Sequence, residues 1–282
     1  MSESGVNADG YVLQRTSAEH QRLARQALIW EPATRQALAR TGLSPGMSAL
    51  DVGCGTGSVM RLMGELVGNS GRVIGVDGDG SLGREALQSL RSERSTHFDF
   101  IEADLVQLES VRDQTFDLVF ARLLLIHLPD AVGALRRFWS WVKPGGALLI
   151  MDYDMTVSRY FPHSEPHQQA SALLQKLLVA AGKDIEIGAR MPELFRTAGI
   201  GVPDACDVSS VVRLVEAGGG NMGGALAAMR EGAVAAGWVD AAQFDAIDAQ
   251  LRATAGGEVF TRMPDLTATW KRKALRDGHA QR

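Results

Sequence analysis

At 282 residues, 45% apolar and 22% charged, the chain has the make-up of a globular protein with room for one large domain and its additions, and not that of a disordered or fibrous one. A formal net charge of −4 argues against affinity built on neutralising nucleic-acid phosphates, and no apolar run approaches the ~20 residues that cross a bilayer. Two cysteines, Cys54 and Cys206, and an acidic N-terminus without an apolar stretch point to a reducing, cytoplasmic setting and no signal peptide.

The chain opens on helices. Thr16 and Glu19 have capping-box spacing, no breaker occurs from Ser17 to Ile29, and Pro32 is expected to divide this helix from a second one that runs to about Thr41 and stops at Gly42. From Met47 the pattern becomes strand, glycine turn, helix. Ser48 to Val52 reads as a strand, and Val59, Leu62, Met63 and Leu66 follow at the i, i+3, i+4, i+7 spacing of a helix with one buried face. Arg72 to Val76 is the second strand, Ser81 to Leu90 a helix, Phe98 to Ala103 the third strand and Phe116 to Ala121 the fourth. Leu135, Phe138, Trp139 and Val142 mark a helix opened by Pro129, and Lys143 to Gly146 turns the chain into a fifth strand, Ala147 to Asp152. Strands alternating with helices imply right-handed crossovers and a parallel sheet covered on both faces.

Beyond Tyr153 the rhythm loosens. Ser164 to Ala181 is a leucine-rich helix, Pro192 to Thr197 a short one, Asp207 to Leu214 a sixth strand, and Gly218 to Gly224 a flexible stretch that could act as a hinge. Two more helices, the second opened by Asp240 with Gln243, precede a last strand from about Leu266 to Lys273. Lys271, Arg272 and Lys273 read as a solvated strand end, with a local basic patch as the alternative.

The chemistry concentrates at the first strand. Leu50-Asp51-Val52 runs straight into Gly53, Gly55 and Gly57, so the backbone can approach a ligand closely over the strand end. Asp77 ends the next strand, where a carboxylate can accept from ribose hydroxyls. A dinucleotide fold uses the same parts, but its third glycine would fall at Ser58; the spacing here is G-x-G-x-G.

That spacing, with an acid two places before the first glycine, resembles the first motif of class I S-adenosylmethionine-dependent methyltransferases. Val73-Ile74-Gly75-Val76-Asp77 resembles their second strand, Glu102-Ala103-Asp104-Leu105 the acid after the third, Phe116-Asp117-Leu118-Val119 the fourth strand, and Leu128-Pro129-Asp130 with Lys143-Pro144-Gly145-Gly146 the entry into the fifth. Tyr11-Val12-Leu13 and Trp30-Glu31-Pro32-Ala33-Thr34-Arg35 are similar to the lead-in of bacterial small-molecule methyltransferases of the ubiquinone and menaquinone type. The resemblance implies a doubly wound, Rossmann-like α/β fold with a mostly parallel seven-stranded sheet. Residues 1–46 would form a helical cover, 47–154 the S-adenosylmethionine-binding core, and 155–282 the rest of the sheet with a helical lid or insertion at the acceptor site.

It also implies site residues. Gly53, Gly55 and Gly57 would lie against the methionine part of the cofactor, Asp77 with Gly78 at the ribose, and Asp104 at the adenine amine, flanked by Ala103 and Leu105. Asp51 would meet the ammonium group through water or cap the nearby helix. Arg122 would offer backbone to the cofactor or turn outward to a surface acid. Tyr11 would set an aromatic edge near the sulfonium or pack the N-terminal arm.

The acceptor side is less defined. His127 is the candidate general base, its alternative a cap before Pro129. Trp30, Asp152 and Tyr153 are candidate acceptor-binding residues, the last two because a strand's carboxyl end faces the ligand crevice. His163 and His167 could share one helical face, but with Glu165 as the sole nearby third ligand no metal is expected. The residues after the fourth strand, Arg122-Leu123-Leu124-Leu125, lack the acid-or-Asn, Pro-Pro, aromatic pattern of methyltransferases that act on nucleic-acid bases. The expectation is a small-molecule acceptor, with no nucleic-acid or membrane partner and with a homodimer left open. The rival functions are cofactor binding without transfer and, further off, a nicotinamide oxidoreductase.

Overall fold

The computed structural model describes residues 17–93, 96–112 and 114–275. Its centre is the sheet demanded by the apolar runs: β1 (Ser48–Val52), β2 (Arg72–Asp77), β3 (His97–Glu102), β4 (Phe116–Arg122), β5 (Val142–Asp154), β7 (Ala205–Ser209) and β10 (Asp265–Arg272). They lie in the order β3-β2-β1-β4-β5-β10-β7. The first five are parallel, and β10 runs antiparallel to both β5 and β7. The order reverses between β1 and β4, the switch point at which open α/β sheets bind ligands beyond their carboxyl ends.

Side-chain alternation along β5 divides the core in two. Leu148 and Ile150 pack on one face with Phe138, Met191 and Phe195; Leu149, Met151 and Tyr153 pack on the other with Trp30, Leu38 and Met63. The second layer is built by α1 (Ser17–Arg40), α2 (Ser58–Val67) and α3 (Gly80–Glu93), the first by α4 (Ala131–Ser140) and α6 (Ile187–Thr197). A third cluster joins α5 (Glu165–Ala180), α7 (Gly220–Ala235) and α8 (Ala241–Arg252) through Leu174, Leu177, Leu226, Phe244 and Leu251.

Four expectations are corrected. Pro32 lies inside one continuous helix, α1, instead of dividing two. It withholds an N–H from the carbonyl of Leu28, a residue 69% exposed, where water can serve; Trp30 and Leu38, both fully buried, hold the helix on either side against a cost of ~3 kcal/mol. The span 207–214 is two strands: β7 stays in the main sheet, while β8 (Val212–Leu214) joins β6 (Arg159–Phe161) and β9 (Phe260–Arg262) in a separate antiparallel sheet ordered β6-β9-β8. The chain turns away between them where Ser210 hydrogen-bonds to Asp265. The stretch 218–224 is the entry to α7, not a loop: a Cβ on Gly223 would sit 2.1 Å from the Gly218 carbonyl oxygen, so glycine permits the close turn. The short helix expected at 192–197 begins a turn and a half earlier, at Ile187, with Pro192 inside it. Among the described residues no helix is long and apolar enough to cross a membrane.

Candidate functional site

The carboxyl ends of β1, β2 and β4 open into a cavity of about 340 Å³, the size range of small-molecule sites. α1 roofs it through His20, Arg22, Leu23 and Gln26; Leu174 and Leu178 of α5, Met222 and Met229 of α7, and Tyr160 and Thr261 of the small sheet close the far side.

Its floor is the glycine loop. Gly53 and Cys54 both donate their N–H to the Val76 carbonyl, at 2.8 and 3.1 Å. Asp77 secures the crest: Oδ2 accepts from the Gly55 N–H at 2.8 Å, and Oδ1 from the Asp79 N–H at 2.8 Å. Gly55 has φ +49, and a Cβ built on it meets no protein atom within 4 Å, so the space above the crest belongs to the cavity. Gly53, Gly55, Asp77, Gly78, Asp104, Leu105 and Arg122 all line the cavity. Asp104 holds its own loop, its Oδ1 accepting from the Val106 N–H at 2.9 Å.

Other expected cofactor contacts are placed elsewhere. Gly57 faces α3, where a Cβ would lie 2.9 Å from Ala86; Ala103 sits behind the wall, donating its N–H to the Asp77 carbonyl. Neither lines the cavity. Asp51 lies beneath the loop, 2% exposed, its Oδ2 without a hydrogen-bond partner. Burial pushes its carboxyl up to about 7, against the pull of Arg122 and with the push of Asp77. Its carboxylate is also held by the backbone N–H of Met60 in the first turn of α2, in line with the helix-capping alternative, while Gly57, in the left-handed region, occupies the N-cap position itself. The outward turn offered for Arg122 is not taken, since its guanidinium donates to Thr34 Oγ1 at 2.8 Å and Ser58 Oγ at 3.2 Å. Tyr11 lies outside the described residues.

On the acceptor side, β5 alternation separates two neighbours. Tyr153 reaches the cavity wall, where its phenol oxygen accepts from Trp30 Nε1 at 2.6 Å and Gln26 Nε2 at 3.0 Å. Burial pushes the phenol up to about 12, so it keeps its proton. Trp30 is fully buried and does not reach the cavity; it supports Tyr153 from behind, ring edge to ring face at 5.8 Å. Asp152 points to the opposite face of the sheet, fully buried, and accepts from the N–H groups of Ile126 and Tyr153. It fixes the 3₁₀ turn Leu125–His127 instead of meeting an acceptor, and burial lifts its carboxyl to about 7.

His127 lines the cavity, with its carbonyl held by Lys183 Nζ at 2.7 Å. His163 and His167 do not meet on one face. His163 is exposed beside Glu165, whereas His167 is buried against Tyr160 with Nδ1 2.7 Å from Ser164 Oγ.

Three features were missed. His20 sits 3.1 Å from Asp79 Oδ2, pinning α1 beside the ribose acid. Burial works against the Asp79 charge, but the Leu82 N–H, the Ser81 hydroxyl and His20 outweigh it and hold the carboxyl below its usual range. A buried pair, Arg22 and Glu19 at 2.7 Å, crosses under α7. The polar ring Thr34–Arg122–Ser58 joins α1, β4 and α2. The stripe Glu19, Arg22, Leu23, Gln26, Ala27 and Trp30, at i, i+3, i+4, i+7, i+8 and i+11, was the available signal of an inward face.

Residues 50–150 match a protein family described as Methyltransferase domain. The chain is 34% identical over 43% of its length to phosphoethanolamine N-methyltransferase 3 of Arabidopsis thaliana, but spans only 24% of that relative. It is 28% identical to demethylmenaquinone methyltransferase of Lactococcus lactis over 62% of this chain and 73% of that one. Among solved structures it resembles Haemonchus contortus phosphoethanolamine N-methyltransferase 2, in complex with phosphomonomethylethanolamine and S-adenosylhomocysteine, with TM-score 0.53 and 18% identity over 86% of this chain and 53% of that one.

Proposed function

Residues 50–150 being a methyltransferase domain of the class I S-adenosylmethionine-dependent family, we propose that the chain binds S-adenosylmethionine over the glycine loop and transfers its methyl group to a small-molecule acceptor. The observation that carries this is the Asp77 carboxylate tied to the Gly55 N–H beneath open space. Each of its oxygens has lone-pair capacity for a ribose hydroxyl, and the bare crest of Gly55 is a cradle that any side chain would fill. Asp104 stands one strand further out, as an adenine contact requires. The residues present therefore fit the cofactor.

Bound S-adenosylmethionine supplies a methyl group on a sulfonium, ready for in-line displacement. The protein's part is to position the acceptor and exclude water. Tyr153 holds its proton and serves as a donor to an acceptor oxygen, and His127 is the group able to take a proton from an acceptor hydroxyl. The wall opposite the loop carries Met155, Leu174, Met222, Met229 and Met263, while Arg22 and Arg213 are engaged by Glu19 and Glu216. This favours an acceptor with an apolar body over one recognised by a phosphate group.

The test is ligand-dependent melting. S-adenosylhomocysteine should raise the melting temperature and NAD should not; stabilisation by NAD alone would return the dinucleotide reading. Transfer is then checked by acceptor-dependent release of S-adenosylhomocysteine from S-adenosylmethionine. Binding without any release across apolar phenols, quinols and amines would leave a binding protein.

A further inference from the structure

We infer that the Arg122 guanidinium holds the carboxylate at the amino-acid end of the cofactor, with Thr34 and Ser58 fixing its orientation. The inference rests on the cofactor reading above and adds the partner of one side chain to it.

The sheet order lays the ligand out. Asp104 follows β3 and Asp77 ends β2, so the nucleoside occupies that side; the glycine loop follows β1; Arg122 ends β4, the next strand over. Two strand spacings, ~10 Å, separate the ends of β2 and β4. A tail leaving the ribose and crossing the loop arrives at Arg122.

The guanidinium is built to meet an anion there. It lines the cavity, and burial lowers its proton affinity. Its bonds are to two hydroxyls, Thr34 Oγ1 and Ser58 Oγ, and among the described residues no carboxylate lies within ion-pair distance of it. Thr34, fully buried, spends its own proton on the Trp30 carbonyl at 2.8 Å and so can only accept from Arg122. Five N–H donors in a rigid fork, two of them used, leave an edge for a carboxylate. Asp51, paired with Phe120 in the β1–β4 register, is near enough to act on Arg122 through space but lies under the loop, outside the cavity, and makes no bond to it. A half-buried cation compensated only at a distance is costly, and a ligand carboxylate removes that cost.

A guanidinium that merely braced α1 against α2 would need no anion, and the two roles separate in binding. Calorimetry with S-adenosylhomocysteine and with 5′-methylthioadenosine, which has the nucleoside and thioether but no amino-acid tail, reads them apart. Arg122→Met should weaken S-adenosylhomocysteine about 30-fold and leave methylthioadenosine within about twofold, with Arg122→Lys in between because a point charge cannot fork. Equal weakening of both ligands, or of neither, overturns the assignment. Should Arg122→Met fail to fold, the wild-type protein decides. Decarboxylated S-adenosylhomocysteine, which keeps the amine, should bind about 30-fold more weakly than the parent, and equal affinity overturns the assignment. If wild type binds none of these ligands, the cofactor reading falls with it; if it binds them without discrimination, only Arg122 is lost.

Discussion

Asp77 and Gly55 are twenty-two residues apart in the chain and joined by a 2.8 Å hydrogen bond from the Gly55 N–H to Asp77 Oδ2. One carboxylate thus shapes the loop and faces the ligand. Asp77→Ala should weaken S-adenosylhomocysteine binding by ~1.5–3 kcal/mol, the scale of lost charge-assisted hydrogen bonds. Calorimetry showing affinity within twofold of the parent would remove Asp77 from the site.

Gly55 gives the complementary test. No protein atom opposes a Cβ there, so Gly55→Val should cost the free protein only the ~1–2 kcal/mol of left-handed backbone strain while abolishing measurable S-adenosylhomocysteine binding. A variant that melts close to the parent and still binds normally would move the ligand off the loop.

The acceptor chemistry divides between two residues. Tyr153→Phe strands the Trp30 and Gln26 donors, which should cost ~1–2 kcal/mol in urea unfolding, and should raise the acceptor KM with the pH profile unmoved, because a phenol pushed up to about 12 does not titrate near neutrality. His127→Gln should lower kcat ~10²-fold for a hydroxyl acceptor. An unchanged kcat would leave His127 a wall residue.

How far the sequence reaches can be seen at Asp152 and Tyr153. The strand, its carboxyl end and the glycine loop are written in local apolar runs and glycine spacing, and the structure holds them. Which of two adjacent residues faces the cavity is not local: strand parity offers two choices, and only the long-range placement of α1, carrying Trp30 and Gln26, selects Tyr153. The small sheet was invisible for a similar reason, since it pairs Phe161 with Phe260 and Phe260 with Leu214 through three-residue strands too short for a period. Pro32 marked a break because propensity is read alone; packing of Trp30 and Leu38 overrides it.

Asp51 and Asp152 carry a pH signature. Both carboxyls are raised to about 7 by burial from an unfolded value of ~4, so the folded state binds more protons between these limits. Their contribution to stability is therefore full at the lower limit and falls as pH rises toward 7. Asp152→Asn should flatten the decline in urea midpoint between pH 5.5 and 8; an identical slope in the variant would mean Asp152 is ionised throughout.

The last expectation concerns the roof. α1 touches the cofactor side through His20 on Asp79 at 3.1 Å, and α7 rests on α1 where a Cβ on Gly224 would meet the Arg22 side chain at 3.1 Å. α7 is entered through Gly218, Gly219 and Gly220, all with positive φ, a backbone conformation that glycine adopts without Cβ strain. α1 is pinned by His20, Thr34 and Trp30, so of the two helices over the cavity we expect the glycine-led α7 to be the one that responds to ligand. Hydrogen exchange with saturating S-adenosylhomocysteine should slow in residues 17–30 and most strongly in 217–235, beyond the protection in 51–105. If those helices formed a fixed dimer face instead, their exchange would depend on protein concentration and not on ligand. Protection confined to 51–105 would rule out a closing roof.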